Sequence, residues 1–213
     1  MKSDVVTRPN RVGRVMQCVV IVAVLFFLAP IDTFKGRRTA SVAEPLSQKD
    51  DSGARSAFLA AYTVFMHPRC LNCHPVSDVP LQGDGSDFHA QSVRRGASGH
   101  GKYGMKCGAC HQKANLPGEN MPPGVSSEWH MPPAEMRMVF EGKSPKDLCR
   151  QLKNPQLNGG RKTLEAAIEH LEADPLVLWG WRPGDGRSIP PMSHAEFVQK
   201  MRQWASNGGA CPE

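Results

Sequence analysis

The sequence predicts a mainly α fold of short helices joined by long loops, and three observations lead to it. Helical periodicity with recognisable end signals occupies a segment before residue 66 and several segments in residues 144–213. The chain holds 20 glycines and 18 prolines in 213 residues, above ordinary usage and typical of a loop-rich protein. Two pentapeptides, CLNCH (70–74) and CGACH (107–111), carry the C-x-x-C-H spacing that attaches a c-type haem. Together these describe a multihaem cytochrome c-like fold, with short helices wrapped around two haems. In such a fold the macrocycles replace much of a side-chain core.

The elements follow in order. Lys2, Arg8, Arg11 and Arg14 precede an uncharged run over 15–30, which reads as an export signal or an N-terminal anchor covering residues 1–43. Cleavage at Ser41-Val42-Ala43 would release a soluble protein, whereas retention would tether it to a membrane through 15–30. Residues 44–53 are polar and read as a linker. From Ala54 to Met66, Phe58, Leu59, Tyr62, Phe65 and Met66 fall on one helical face, expected to meet a haem edge, and Pro68 stops the helix.

Residues 54–143 are expected to form the dihaem-binding region. Its part after His74 is broken by Gly and Pro and would argue against a compact domain without a cofactor. Residues 144–213 are expected to be a helical part packed on it. Ser144-Pro145 with Asp147 opens a first helix, Thr163 to Asp174 spans a second closed by Pro175, and Ser193 with Glu196 forms a capping box for a third. Phe197, Met201 and Trp204 line one face of that last helix, and Gly208 follows its end.

The motif spacing has a physical reason. Two thiols must reach the two vinyl groups on one edge of a porphyrin, so they lie about one helical turn apart, and the next histidine is held against the iron. The expected covalent anchors are Cys70 and Cys73 for one haem, Cys107 and Cys110 for the other, with His74 and His111 as proximal ligands. The implied cofactors are two covalently bound haem c.

The sixth ligand decides the chemistry, because a six-coordinate iron transfers electrons and an open one binds peroxide or gas. His89 lies between the motifs and His130 in the stiff run WHMPP after the second, so bis-histidine ligation by this pair is the first expectation, with neither assigned to a particular haem. Methionine is the rival: Met121, between PGEN and PP, resembles the distal-methionine loops of small cytochromes c, and Met131, Met136 and Met138 are further options. His67 lies too close to Cys70 to reach the far face of its own haem, but it could reach the other. Surface roles are expected for His170 and His194.

Cys18 falls in the apolar leader. Cys149 and Cys211 are then left over, and in an oxidising compartment they are expected to form a disulfide. The net charge of +6 belongs mostly to residues 1–43, which hold seven basic and two acidic residues against 19 and 18 in the rest. The body therefore has no electrostatic footprint for nucleic acid.

The chain also resembles a known family, the small exported dihaem c-type cytochromes of proteobacteria, some labelled isoquinoline 1-oxidoreductase subunit. The resemblance covers most of residues 58–213. It rests on HPRCLNCHP (67–75), KCGACHQKANLPGENMPPG (106–124), WHMPP (129–133), EGKSPKDLC (141–149), LVLWGWRPGDGR (176–187) and the terminal ACPE. It implies haem c binding and electron transfer with redox protein partners. The label implies a molybdenum hydroxylase among those partners, although the chain carries no molybdopterin or iron–sulfur motif and is too short to be such a catalytic subunit. A looser similarity to the small dihaem subunit of periplasmic nitrate reductase, which also has a histidine between its motifs, favours His89.

The expected function is therefore electron transfer in the periplasm, soluble or anchored to the inner membrane, without enzymatic activity. A peroxidase-like haem enzyme or gas-binding protein with one open iron is the alternative. A zinc site or a redox dithiol built on the C-x-x-C pairs is a third reading.

Overall fold

The computed structural model describes residues 49–213. The expected leader or anchor, its tether at 15–30 and the linker up to residue 48 lie outside the described residues. The described residues belong to one compact unit. Among them are six α-helices, two minimal antiparallel ladders and two 3-10 turns, separated by long loops. None of these helices is long and apolar enough to cross a membrane.

Helix α1 spans Asp51–Phe65, and the Asp50 carboxylate caps it by accepting the Gly53 amide at 2.9 Å. The helix thus begins inside the segment read as linker, because a capping aspartate and a good first turn extend it beyond its apolar periodicity. Its buried stripe is Ala54, Ala57, Phe58, Ala61, Val64 and Phe65, whereas Leu59 is 44% exposed. Small alanines set this phase, since they let a neighbouring helix approach closely. The face expected to meet a haem edge packs instead along a C-terminal helix.

Four helices complete that packing: α3 (Pro145–Leu152), α4 (Leu164–Ala173), α5 (Pro175–Trp179) and α6 (His194–Ser206). Their caps are the expected ones. Ser144 accepts the Asp147 amide, Thr163 the Ala166 amide, and Ser193 and Glu196 form a complete capping box. Pro175 ends α4 but also opens α5 at its first turn, with Asp174 as the cap.

The side chains supply a core of their own. Phe58 meets Trp204 at 5.2 Å between ring centroids, and Phe65 meets Phe140 and Phe197 edge-on at 5.5 and 5.2 Å, distances typical of favourable aromatic pairs. Leu148, Leu152, Ile168, Val198 and Met201 fill the remainder. Cys149 and Cys211 form a disulfide that ties α3 to the chain beyond α6.

Between α1 and α3 the chain leaves this helical body. It passes through the short helix α2 (Pro68–Leu71) and then through two hairpins. One pairs β1 (Leu81–Gln82) with β2 (Asp87–Phe88), and the other pairs β3 (Gly101–Lys102) with β4 (Met105–Lys106). Irregular segments and 3-10 turns at Cys107–Ala109 and Ala134–Met136 follow. Gly99 (φ +85°) is needed for one close approach, since its amide side abuts the Met131 carbonyl where any Cβ would collide.

Candidate haem-binding site

The two C-x-x-C-H pentapeptides fold alike although their surroundings differ. In the first, His67 caps α2 and Pro68 opens it. The turn then continues past Leu71 until the His74 amide donates to the Cys70 carbonyl at 3.2 Å. In the second, the 3-10 turn begun at Cys107 ends with the His111 amide donating to the Cys107 carbonyl at 3.0 Å. Each first cysteine is thereby set one turn below its histidine, the arrangement that places both thiols along one edge of a ring.

The histidines are oriented by the same device. His74 Nδ1 lies 2.7 Å from the Met138 carbonyl, and His111 Nδ1 lies 2.8 Å from the Pro123 carbonyl. A carbonyl only accepts, so Nδ1 carries the proton in both and Nε2 is left as the nitrogen available to a metal. Each ring also lies flat on an aromatic neighbour. His74 stacks on Phe140 at 3.9 Å and 10°, and His111 on Trp129 at 4.6 Å and 4°. Burial pushes His74 down to about 4 against the opposing pull of the Met138 carbonyl, and it lowers His111 too. Both are neutral at pH 7, the form a metal requires.

Burial also pushes the Cys70 thiol up to about 12 and Cys73 up to about 11, and it raises Cys107. That is opposite to the lowered pKa of a redox dithiol, and within each pair the two sulfurs are free rather than bridged. A structural zinc site needs about four converging ligands. Among the described residues no three His, Cys, Asp or Glu side chains gather in that way.

A cavity of about 380 Å³ joins the two motifs. Cys73 of the first and Cys107, Cys110 and His111 of the second all border it, with Leu81, Met105, Trp129 and Met131 as apolar walls. His89 borders it too. Its ring centroid stands 6.2 Å from that of His111. Two imidazoles sharing one metal ion need about 6 Å between ring centres, from about 2 Å per metal–nitrogen bond plus the ring radii. His89 Nδ1 is buried without a hydrogen-bond partner.

These observations fit a porphyrin tethered at Cys107 and Cys110. The thiols share an edge of the cavity, one imidazole is locked by its outer nitrogen, a second stands at bridging distance, and the remaining wall is largely apolar. At the first motif only Cys73 borders the cavity, whereas Cys70 packs against the helical core and His74 does not line it.

Of the other distal candidates, Met131 forms part of the cavity wall and the rest lie elsewhere. His130 pairs with His100 at 4.8 Å, His100 Nε2 meets Glu128 at 3.1 Å, and His130 Nδ1 contacts the Met131 carbonyl. Neither His130 nor Met121 borders the cavity. Met121 is 42% exposed, and its carbonyl accepts from Arg187. Met138 offers its carbonyl to His74, while its sulfur lies near Arg161.

Sequence reasoning passed over the supporting residues: Pro123, Trp129, Phe140, Arg69 and Arg187. The signal was present in the runs ENMPPG, WHMPP and RPGDGR, which place a carbonyl, an aromatic ring and a guanidinium around the second motif. Comparison of the chain with protein-family models, with curated proteins and with solved structures finds no match.

Proposed function

We propose that this chain is a dihaem c-type cytochrome that passes electrons between redox proteins in an exported compartment. One observation carries the reading. Both C-x-x-C-H segments fold into the same turn, and both histidines have Nδ1 fixed on a backbone carbonyl with Nε2 left free. Two independent loops would have no reason to converge on that geometry unless each served the same kind of group.

When bound, the haems supply one-electron exchange at iron. The protein's own residues set the conditions for it. Cys70, Cys73, Cys107 and Cys110 would hold the rings, and His74 and His111 would ligate the irons. Phe140 and Trp129 stop those imidazoles from rotating. His89 would be the second imidazole to hold the haem of His111, as the 6.2 Å spacing between the two rings favours. The Cys149–Cys211 disulfide suits an oxidising compartment, where bacterial haem attachment also takes place. A shared cavity wall that includes Cys73 and Cys107 favours transfer from one ring to the other.

The test is expression of the full chain with export in cells able to mature c-type cytochromes. Two haem equivalents added to the polypeptide mass are expected, together with a haem stain that survives denaturing electrophoresis. A colourless protein with the mass of bare polypeptide would overturn the proposal.

A further inference from the structure

The cavity wall is charged in one sense only. Arg69, Lys106 and Arg187 border it, and no aspartate or glutamate does. Lys106 is exposed and its ammonium donates to the Gly101 carbonyl. The two arginines are different. Arg69 is 5% exposed, and its guanidinium donates to Asp84 at 2.5 Å and to the Gly83 carbonyl at 2.9 Å. Its Nε is buried with no partner. Arg187 is half-buried and donates to the Pro183 and Met121 carbonyls, which orient it without neutralising it.

Asp84 pairs with Arg69 from the exposed side, its second oxygen occupied by the Ser188 amide, and among the described residues no carboxylate pairs with Arg187. Burial lowers the pKa of both arginines, with Asp84 only partly offsetting it. One positive charge is left over at a partly desolvated wall, which calls for a second anion on the cavity side. A guanidinium receives a planar carboxylate through parallel N–H···O bonds.

We propose that Arg69 and Arg187 form a carboxylate subsite at the end of this cavity and take a propionate of the haem tethered at Cys107 and Cys110. This rests on the function proposed above. The pair then acts on the iron by position and charge: it fixes the rotation of the ring about the thioether edge and favours the reduced, less positive state.

Redox titration of the holoprotein tests it, with Arg187→Gln, Arg187→Lys and Asp84→Asn beside the wild type, and the exposed Arg182→Gln as control. In Arg187→Gln one of the two midpoint potentials falls, and the pH at which that midpoint changes slope moves upward as the propionate loses its cation. Arg187→Lys keeps most of the wild-type value. Asp84→Asn raises the same midpoint, and Arg182→Gln moves neither.

Two bound haems with unmoved midpoints in Arg187→Gln and Asp84→Asn overturn this inference alone, as does a fall without the pH displacement, which indicates a distant charge only. Should Arg187→Gln fail to accumulate, the opposite displacement in Asp84→Asn decides. Absence of haem from the wild type overturns the function itself and this subsite with it.

Discussion

The Met138 and Pro123 carbonyls hold Nδ1 of His74 and His111, the restraint that the proposed ligation through Nε2 requires. His89 stands differently, with Nδ1 buried and unpartnered on the far side of the same cavity. Its replacement is therefore informative. His89→Ala is expected to keep both haems attached while turning one from low-spin to high-spin, visible in the absorption spectrum and in near-infrared magnetic circular dichroism. An unchanged low-spin spectrum would remove His89 from the coordination sphere. The cysteines and following histidines were legible in the sequence because their chemistry demands a fixed local spacing. Trp129 and Pro123 were not, because stacking and carbonyl donation depend on which loop the fold returns to the motif. The preference for His130 as a distal ligand rested on stiffness and reach, and the structure places that ring beside His100 instead.

Helix ends were the most readable feature between the residue and the whole. Ser, Thr and Asp before an apolar period satisfy amides that nothing else can, so Ser144, Thr163 and Ser193 could be assigned directly. Ser193→Ala is expected to cost about 1 kcal/mol, read as a lowered thermal midpoint. Asp174 joins two helices, closing α4 and capping α5, and it also pairs with His170 at 3.2 Å. Burial works against its carboxylate, yet the His170 and Leu176 hydrogen bonds outweigh it and hold its pKa below the ordinary aspartate value. The stabilisation is complete above the unfolded pKa near 4 and is lost as pH falls through the folded value. Asp174→Asn retains a capping side chain but removes this acid-dependent part, so its stability should fall less than the wild type's between pH 5 and pH 3, measured by urea unfolding. The phase of α1 was less legible. Of the five large apolar side chains read onto one face, Phe58 and Phe65 are buried and Tyr62 and Met66 pack against the core, while the alanines shift the buried stripe enough to leave Leu59 exposed.

At the scale of the whole molecule, the expectation that macrocycles replace a side-chain core did not allow for the aromatic cluster between α1, α3, α4 and α6. Those residues come from α1 and from several segments after residue 139, and no local window displays them together. The helical body should therefore form without a cofactor. A variant with Cys70, Cys73, Cys107 and Cys110 all changed to Ser is expected to keep its far-ultraviolet helix signal and a cooperative thermal transition. Loss of both would mean that haem organises the core after all. Removing the disulfide is the complementary perturbation. With a sequence separation of 62 between its cysteines, the chain-entropy model assigns it about 4 kcal/mol, so the Cys149→Ser/Cys211→Ser double variant should melt well below the parent.

The pairing of α1 with α6 has one more consequence, in time rather than in space. A polypeptide is delivered from its amino end, and α1 has no partner to bury Phe58 until Trp204 arrives. During that interval both sets of thiols have already emerged, on segments that nothing has yet closed over. The final packing of α1 is in this way timed by where α6 sits in the gene.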